Sequence, residues 1–339
     1  MESRPVTVKD KAILEDRAKD KAVLRRSLFR SDATQKILAF ASLIVMFVVF
    51  SLASPNFAKF NNIIGILLAT AVNGVLAVGV TFVIITGGID LSVGTVMTFA
   101  SVMTGVFITF WKLPIIIGVL GGVAAGALCG FINGSITAKM KIPPFIATLG
   151  MMMIAKGLSL VISGTRPIYF IDTPVFSKIA MGSVLGIPNA VLVFFGAAII
   201  ASLILTKTVL GRYTFALGSN EEAARLSGIN VDAWKIAIYT LGGIFSGLAG
   251  VMMASRLNSA QPALGQGYEL EAIAAVVIGG TSLSGGEGTI LGTVIGAFIM
   301  SVLTNGLRIL SIPQEWQTVV IGVIVIAAVY ADIIRRRGQ

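Results

Sequence analysis

The chain of 339 residues is 55% hydrophobic and only 12% charged, with a mean hydropathy of +0.92, which excludes a water-soluble protein of this length. Its formal charge of +10 invites a nucleic-acid reading, but the basic residues are scattered and fit the positive-inside bias of a membrane protein better. With no histidine and a lone Cys129 in an apolar stretch, a His/Cys metal site and an internal disulfide are excluded, and the every-second-residue polarity of a β-barrel is absent.

Residues Met1–Lys36 form a polar tail of mixed charge, with Arg25, Arg26, Arg30 and Lys36 clustering toward its end. Val8–Leu28 reads either as a surface helix or as a partly disordered cytoplasmic segment. The tail is too long and acidic for a signal peptide, so Ile37–Leu52 reads as a retained first span. Ser54-Pro55-Asn56-Phe57 turns the chain, and Ile63–Thr86 returns it to Gly87-Gly88-Ile89-Asp90-Leu91-Ser92-Val93-Gly94. Val93–Phe110 and Ile115–Thr137 make a hairpin about Lys112-Leu113-Pro114, and Phe145–Ser163 follows the basic loop Lys139-Met140-Lys141. A polar connection, Gly164–Pro188, has room for a short outer helix. Val191–Thr206 leads into a polar interval, Lys207–Lys235, and Ile236–Ser255 leaves it toward a second outer connection, Arg256–Glu271. Ala272–Ile278 is short and reads as a broken segment; Ile290–Ile309 and Val319–Ile334 complete the series before Arg335-Arg336-Arg337.

These segments define an all-α, polytopic transmembrane bundle of about ten spans, because roughly 20 apolar residues are needed per helical crossing. The domain plan is a cytoplasmic tail over 1–36, a membrane domain over 37–334 with a cytoplasmic loop over 207–235, and a basic C-terminus over 335–339. Charge fixes the orientation: inner segments hold nineteen Lys and Arg residues against six outside, with Lys156 set aside inside a span. Both termini and the 207–235 loop are therefore expected in the cytoplasm. The chain also repeats itself: Gly87–Gly94 matches Gly279-Gly280-Thr281-Ser282-Leu283-Ser284-Gly285-Gly286 at five positions. Asn133-Gly134 with Pro143 is echoed by Asn305-Gly306 with Pro313. Paired Gly-interrupted segments in two halves point to a transport pathway formed by broken or re-entrant helices, while close helix packing by small residues is the plainer account.

Within the 207–235 loop, Ser219-Asn220-Glu221-Glu222-Ala223-Ala224-Arg225-Leu226-Ser227-Gly228 reads as a short helix. Ser219 or Asn220 can cap it, the acids suit its first turn and Gly228 ends it. Glu222-Ala223-Ala224 followed after three residues by Gly228 resembles the EAA-x-x-x-G signature of ABC importer permeases. The glycine segments, Asn133-Gly134 and Ile142-Pro143-Pro144-Phe145 are similar to the ribose-type, simple-sugar branch of that superfamily, and the likeness runs from about Ile37 to Ile334. The resemblance implies a permease that works as a dimer, homodimeric by expectation, in the bacterial inner membrane. It implies a coupling helix, comprising Glu221, Glu222, Ala223, Ala224, Arg225 and Gly228, that docks on a cytoplasmic ATP-binding subunit. A periplasmic or extracellular sugar-binding protein would deliver a monosaccharide, with ribose the leading choice. ATP would bind the partner subunit, and no cofactor would bind this chain.

Intramembrane polar residues are the path candidates: Asn73, Asp90, Ser92, Asn133, Glu271, Ser282, Ser284 and Asn305. Asp90 reads as the only acid in a long apolar region, costly enough to need a role, and capping the next helix is the preferred one. Asn73, Asn133 and Asn305 either face a conduit or pair between helices. Lys156 is expected to snorkel to an interface. Glu269, Glu271 and Glu287 are placed near interfaces, with Glu271 a candidate for an outer gate, and Gly65, Gly74 and Gly79 as packing notches. No GxxxxGK[ST] loop, general base or paired carboxylate is visible, so the chain is not read as an enzyme. The alternative function is an ion-coupled secondary transporter using Asp90 and Glu271; an enzyme acting on lipid-linked substrates lacks reactive groups.

Overall fold

The computed structural model describes residues 32–337. The helix considered over Val8–Leu28 and the arginines Arg25, Arg26 and Arg30 lie outside the described residues. Apolar runs become helices because each closes its own backbone hydrogen bonds, and thirteen α-helices are present among the described residues. In chain order they are α1 (Asp32–Ala53), α2 (Phe60–Ile85), α3 (Val93–Gly105), α4 (Ile115–Lys139), α5 (Pro144–Ser163), α6 (Pro174–Met181) and α7 (Asn189–Lys207). Then come α8 (Val209–Ser219), α9 (Glu221–Leu226), α10 (Val231–Leu257), α11 (Tyr268–Ile278), α12 (Ile290–Ile309) and α13 (Gln314–Arg337). A π turn over Val106–Phe110 extends α3 into a full crossing. Nine helices among the described residues are long and apolar enough to span a bilayer. The tenth expected segment is α11, which at 11 residues is too short to cross.

Where the helices begin and end follows local chemistry. Pro143 and Pro144 open α5, while Gly164, at φ +63°, closes it. Asn220, Asn230 and Thr289 cap α9, α10 and α12 by accepting the N–H groups of Ala223, Ala233 and Gly292. Two short antiparallel pairs, β1 (Ile168–Tyr169) with β4 (Ser259–Ala260) and β2 (Ser183–Val184) with β3 (Ile187–Pro188), tie together the connections at the end opposite the 207–235 loop. The helix expected within Gly164–Pro188 is α6.

The long helix α10 sits at the centre, packed on α4, α3 and α2. Its contact with α4 is glycine on glycine. A Cβ added to Gly126 would lie 2.7 Å from the Gly247 Cα, and one on Gly130 3.0 Å from the Gly243 Cα. Lacking a hydrophobic drive between helices in lipid, such close backbone approach maximises dispersion contacts. Gly74 receives the ring of Phe194, and Gly79 lies 2.7 Å (measured from an added Cβ) from the Phe245 Cβ, so both act as notches. Gly65 does not: nothing lies within 4 Å of the corresponding position, because it points away from neighbouring helices. Replacing Gly126 or Gly243 by Leu is expected to destabilise the protein by about 2 kcal/mol or more. Gly150→Ala, where the added methyl meets open space, should leave the melting temperature in detergent unchanged; thermal unfolding of the three variants checks this.

Candidate functional site: two helix breaks and a coupling helix

The first break separates α2 from α3. Gly87, at φ +77°, ends α2, and Gly88 N–H reaches back to Val83 O at 3.2 Å. Beyond the turn, Asp90 Oδ1 accepts both the backbone N–H of Ser92 (2.8 Å) and the Ser92 hydroxyl (2.6 Å). Asn133 of α4 donates its Nδ2 to Ser92 Oγ at 2.9 Å. All three residues are buried, so the Asp90 carboxylate organises the entry to α3 and, through Ser92, links it to α4. Thr148 of α5 closes the other side by accepting from Leu91 N–H and donating to Ile89 O. Asn133 therefore belongs to a helix-to-helix pairing.

The second break, between α11 and α12, repeats this design with its parts displaced. Here the second glycine of the pair, Gly280 at φ +91°, ends the helix, and Thr281 N–H returns to Val276 O at 3.2 Å. Ser282, which stands where Asp90 stands in the first copy, accepts from Ser284 N–H at 3.4 Å. Its hydroxyl donates to Asp332 Oδ2 of α13 at 3.0 Å. The carboxylate that the first break carries internally is thus supplied from another helix. Asp332, inside the last expected span, is a further buried acid beside Asp90 and Glu269.

The two breaks meet. Gly286 N–H donates to Ile85 O at 2.8 Å, and an added Cβ on Gly285 would stand 2.9 Å from Gly87 N. The end of α8 is wedged into the same junction. A Cβ on Gly218 would collide with Ile85 O and approach Gly286 N to 2.5 Å, and one on Gly286 would lie 2.9 Å from Ser219 Oγ. Ser92 and Ser284 nevertheless differ in setting, because Ser92 is buried and committed to Asp90 whereas Ser284 is exposed.

Two helices, not one, fill the 207–235 loop. Thr208 caps α8, and Tyr213 sets its ring edge-on to Trp234 with centroids 4.9 Å apart. The short α9 then turns against the start of α10. Lys235 Nζ contacts Glu221 Oε2 at 2.5 Å, and Arg225 is 3.3 Å from Asp232 Oδ1, which Lys141 also reaches at 2.8 Å. Ala224 faces the core, and Gly228, at φ +83°, lets Ile229 N–H close on Ala224 O at 3.2 Å. Of the expected coupling residues, Glu221 and Arg225 are thus held by ion pairs, leaving Glu222, Ala223 and Leu226 facing outward. Leu226 is 85% exposed and was not singled out in the sequence, since in one dimension it looks like the apolar anchor of an amphipathic turn.

The remaining candidates lie along α2. Asn73, halfway down that helix, donates to Glu271 Oε2 at 2.6 Å, and Asn62 and Asn305 exchange reciprocal amide bonds at 3.0 Å. Polarity places Glu269 and Glu271 near interfaces, but Glu271 meets the middle of α2 and Glu269 is buried. The chain after β4 dips back, and α11 starts opposite the middle of α2, which carries both acids inward. Glu269 is buried and accepts from Gly267 N–H at 3.0 Å. Lys156 turns its amine to Gln266 in that dipping segment, at 3.4 Å, instead of to the end of α5.

Broken helices locked side by side and braced by a polar helical loop define a membrane transport permease. A family profile described as the permease component of branched-chain amino acid transport systems matches residues 62–329. The chain is 42% identical to the ribose import permease protein RbsC of Escherichia coli K12, over 86% of this chain and 91% of that protein. It is 44% identical to RbsC of Bacillus subtilis, over 88% and 92%. It is 40% identical to the fructose import permease protein FrcC of Rhizobium meliloti, over 79% and 76%. The chain belongs to this family of ABC importer permease components, and the ion-coupled alternative is set aside.

Asp90→Asn is expected to retain most stability, because an amide oxygen also accepts both bonds from Ser92. Asp90→Leu orphans buried donors, at a cost of about 1–3 kcal/mol each. Thermal unfolding of the two variants in detergent measures the difference.

Proposed function

We propose that the chain is the membrane subunit of an ATP-driven importer that moves a monosaccharide, ribose before other pentoses and hexoses. A periplasmic or extracellular binding protein presents the sugar, and a second copy of the chain completes the translocation unit in the bacterial cytoplasmic membrane. ATP is hydrolysed on a separate cytoplasmic subunit, and this chain binds no cofactor. Both termini and α9 face the cytoplasm, in keeping with nineteen basic residues on that side against six on the other. The family profile is described by amino acid transport, but relatives 40–44% identical over most of the chain are named for ribose, fructose and arabinose import, which favours the sugar.

The observation that carries this reading is the wedge of α8 between the two breaks. A push on the exposed tip of α9 reaches Gly218 and Ser219 through one rigid turn, and they abut Ile85 and Gly286 directly. Displacement there moves the ends of α2 and the α11–α12 loop together, the kind of two-state element that a partner's ATP cycle can bias. The outward Glu222, Ala223 and Leu226 form the docking tip, and the ion pairs of Glu221 and Arg225 hold it in place.

Glu222→Lys and Leu226→Asp are each expected to lower sugar uptake at least tenfold in vesicles containing the ATPase subunit and binding protein, with the melting temperature unchanged. Both residues are exposed, so folding is not at stake. Wild-type uptake and sugar-stimulated ATP hydrolysis in both variants would overturn the assignment of the tip.

A further inference from the structure

Between α3, α5 and the dipping segment that precedes α11 lies a small cleft whose lining includes Thr95, Thr98, Lys156, Ala263, Gly265 and Gln266. Register along the helices places it at mid-membrane depth. Lys156 is twelve residues from the start of α5 and seven from its end, or about 18 Å and 10 Å. Gly265 is pressed so close to α3 that an added Cβ would strike Gly94 O and Thr98 Oγ1, which holds the dipping backbone at the same level. There the chain is neither helix nor strand, and its turns are loose, with Leu264 N–H on Gln261 O and Tyr268 N–H on Gly265 O both at 3.4 Å. Ala263 and Gln266 in this segment are nonetheless exposed, and Lys156 is half-buried.

Irregular backbone does not face hydrocarbon; at this depth it is tolerated only against protein or water. A mid-span amine with a neutral amide as its partner is equally out of place in lipid. A second copy pressed directly onto the cleft is disfavoured as well. A dry contact there would bury the Lys156 amine beside a neutral amide instead of a carboxylate, which is costly for a charge. We infer that the cleft faces the water-filled translocation path and that Lys156 and Gln266 contact the passing monosaccharide. This rests on the sugar-import reading.

The chemistry suits an uncharged polyol. The Thr95 and Thr98 hydroxyls are buried and donate to Ser92 O and Gly94 O at 2.9 and 3.2 Å, so the groups open to the path are Lys156 and Gln266. The Lys156 amine donates, and the Gln266 amide does both. A sugar hydroxyl is donor and acceptor at once, so alternating groups of this kind can exchange partners with it as it moves.

The test uses single cysteines at Gln266 and at Ala263 in a Cys129→Ala background, in vesicles holding the complete transporter. Leu158→Cys, exposed on another flank of α5 at similar depth, is the control. A charged, membrane-impermeant thiol reagent is applied to both faces. The expected result is modification of Gln266→Cys and Ala263→Cys at least tenfold faster than the control, and at least a tenfold loss of ribose uptake once Gln266→Cys is modified. Rates equal to the control would overturn the inference. So would a disulfide between two copies at Gln266→Cys without reagent modification, and so would full uptake after modification. Uptake that proceeds without ATP would defeat the importer reading while leaving the labelling pattern as an independent result.

Discussion

Everything in this protein turns on the need to satisfy backbone groups where a helix breaks off against its neighbours. Each break at a Gly-Gly pair frees N–H and C=O groups, and a group left buried without a partner costs a few kcal/mol. The chain meets that need by bringing its two breaks together, so that Gly286 N–H finds Ile85 O. Asp90 serves Ser92 within one break, while Asp332 reaches across from α13 to serve Ser282 in the other. The carboxylates are expensive to bury, and their value lies in how many hydroxyl and amide donors each one gathers.

This arrangement also gives the bundle its mechanical character. Glycine-on-glycine contacts make α4 and α10 a stiff pair, since neither has side-chain length with which to absorb a displacement. The junction of Ile85, Gly218 and Gly286 is as tight, but it lies at the end of the bundle where α8 and α9 reach it from outside. Force applied at α9 therefore has a short path to both breaks. The ion pairs around Asp232 and Glu221 set the angle of the tip, and, being partly exposed, they contribute little to overall stability.

The fold class was readable from the sequence because the bilayer imposes a length rule on apolar runs, and nine helices among the described residues obey it. The bounds of α9 at Asn220 and Gly228 were readable too, because capping is chemistry within one turn. The five-position match pointed to the two breaks, and the structure joins them. Less legible was the one-residue offset between Gly87 and Gly280, since a Gly-Gly pair does not say which glycine takes the left-handed turn.

What the sequence alone determined was the class of element at each place: spans, caps, breaks and a polar loop on the strongly basic side. These depend on local composition and on charge summed over segments. Only the tertiary structure decided which polar groups pair and which stay open. Asn133 went to Ser92, Asn305 to Asn62, Asn73 to Glu271, and Lys156 to Gln266. It also carried Glu269 and Glu271 inward on a half-length helix, turned Ala224 in and left Leu226 out. Partners of this kind stand 41 to 243 residues apart, so helix periodicity cannot predict them. They follow from how the helices cross, and that is set by the packing of the whole bundle.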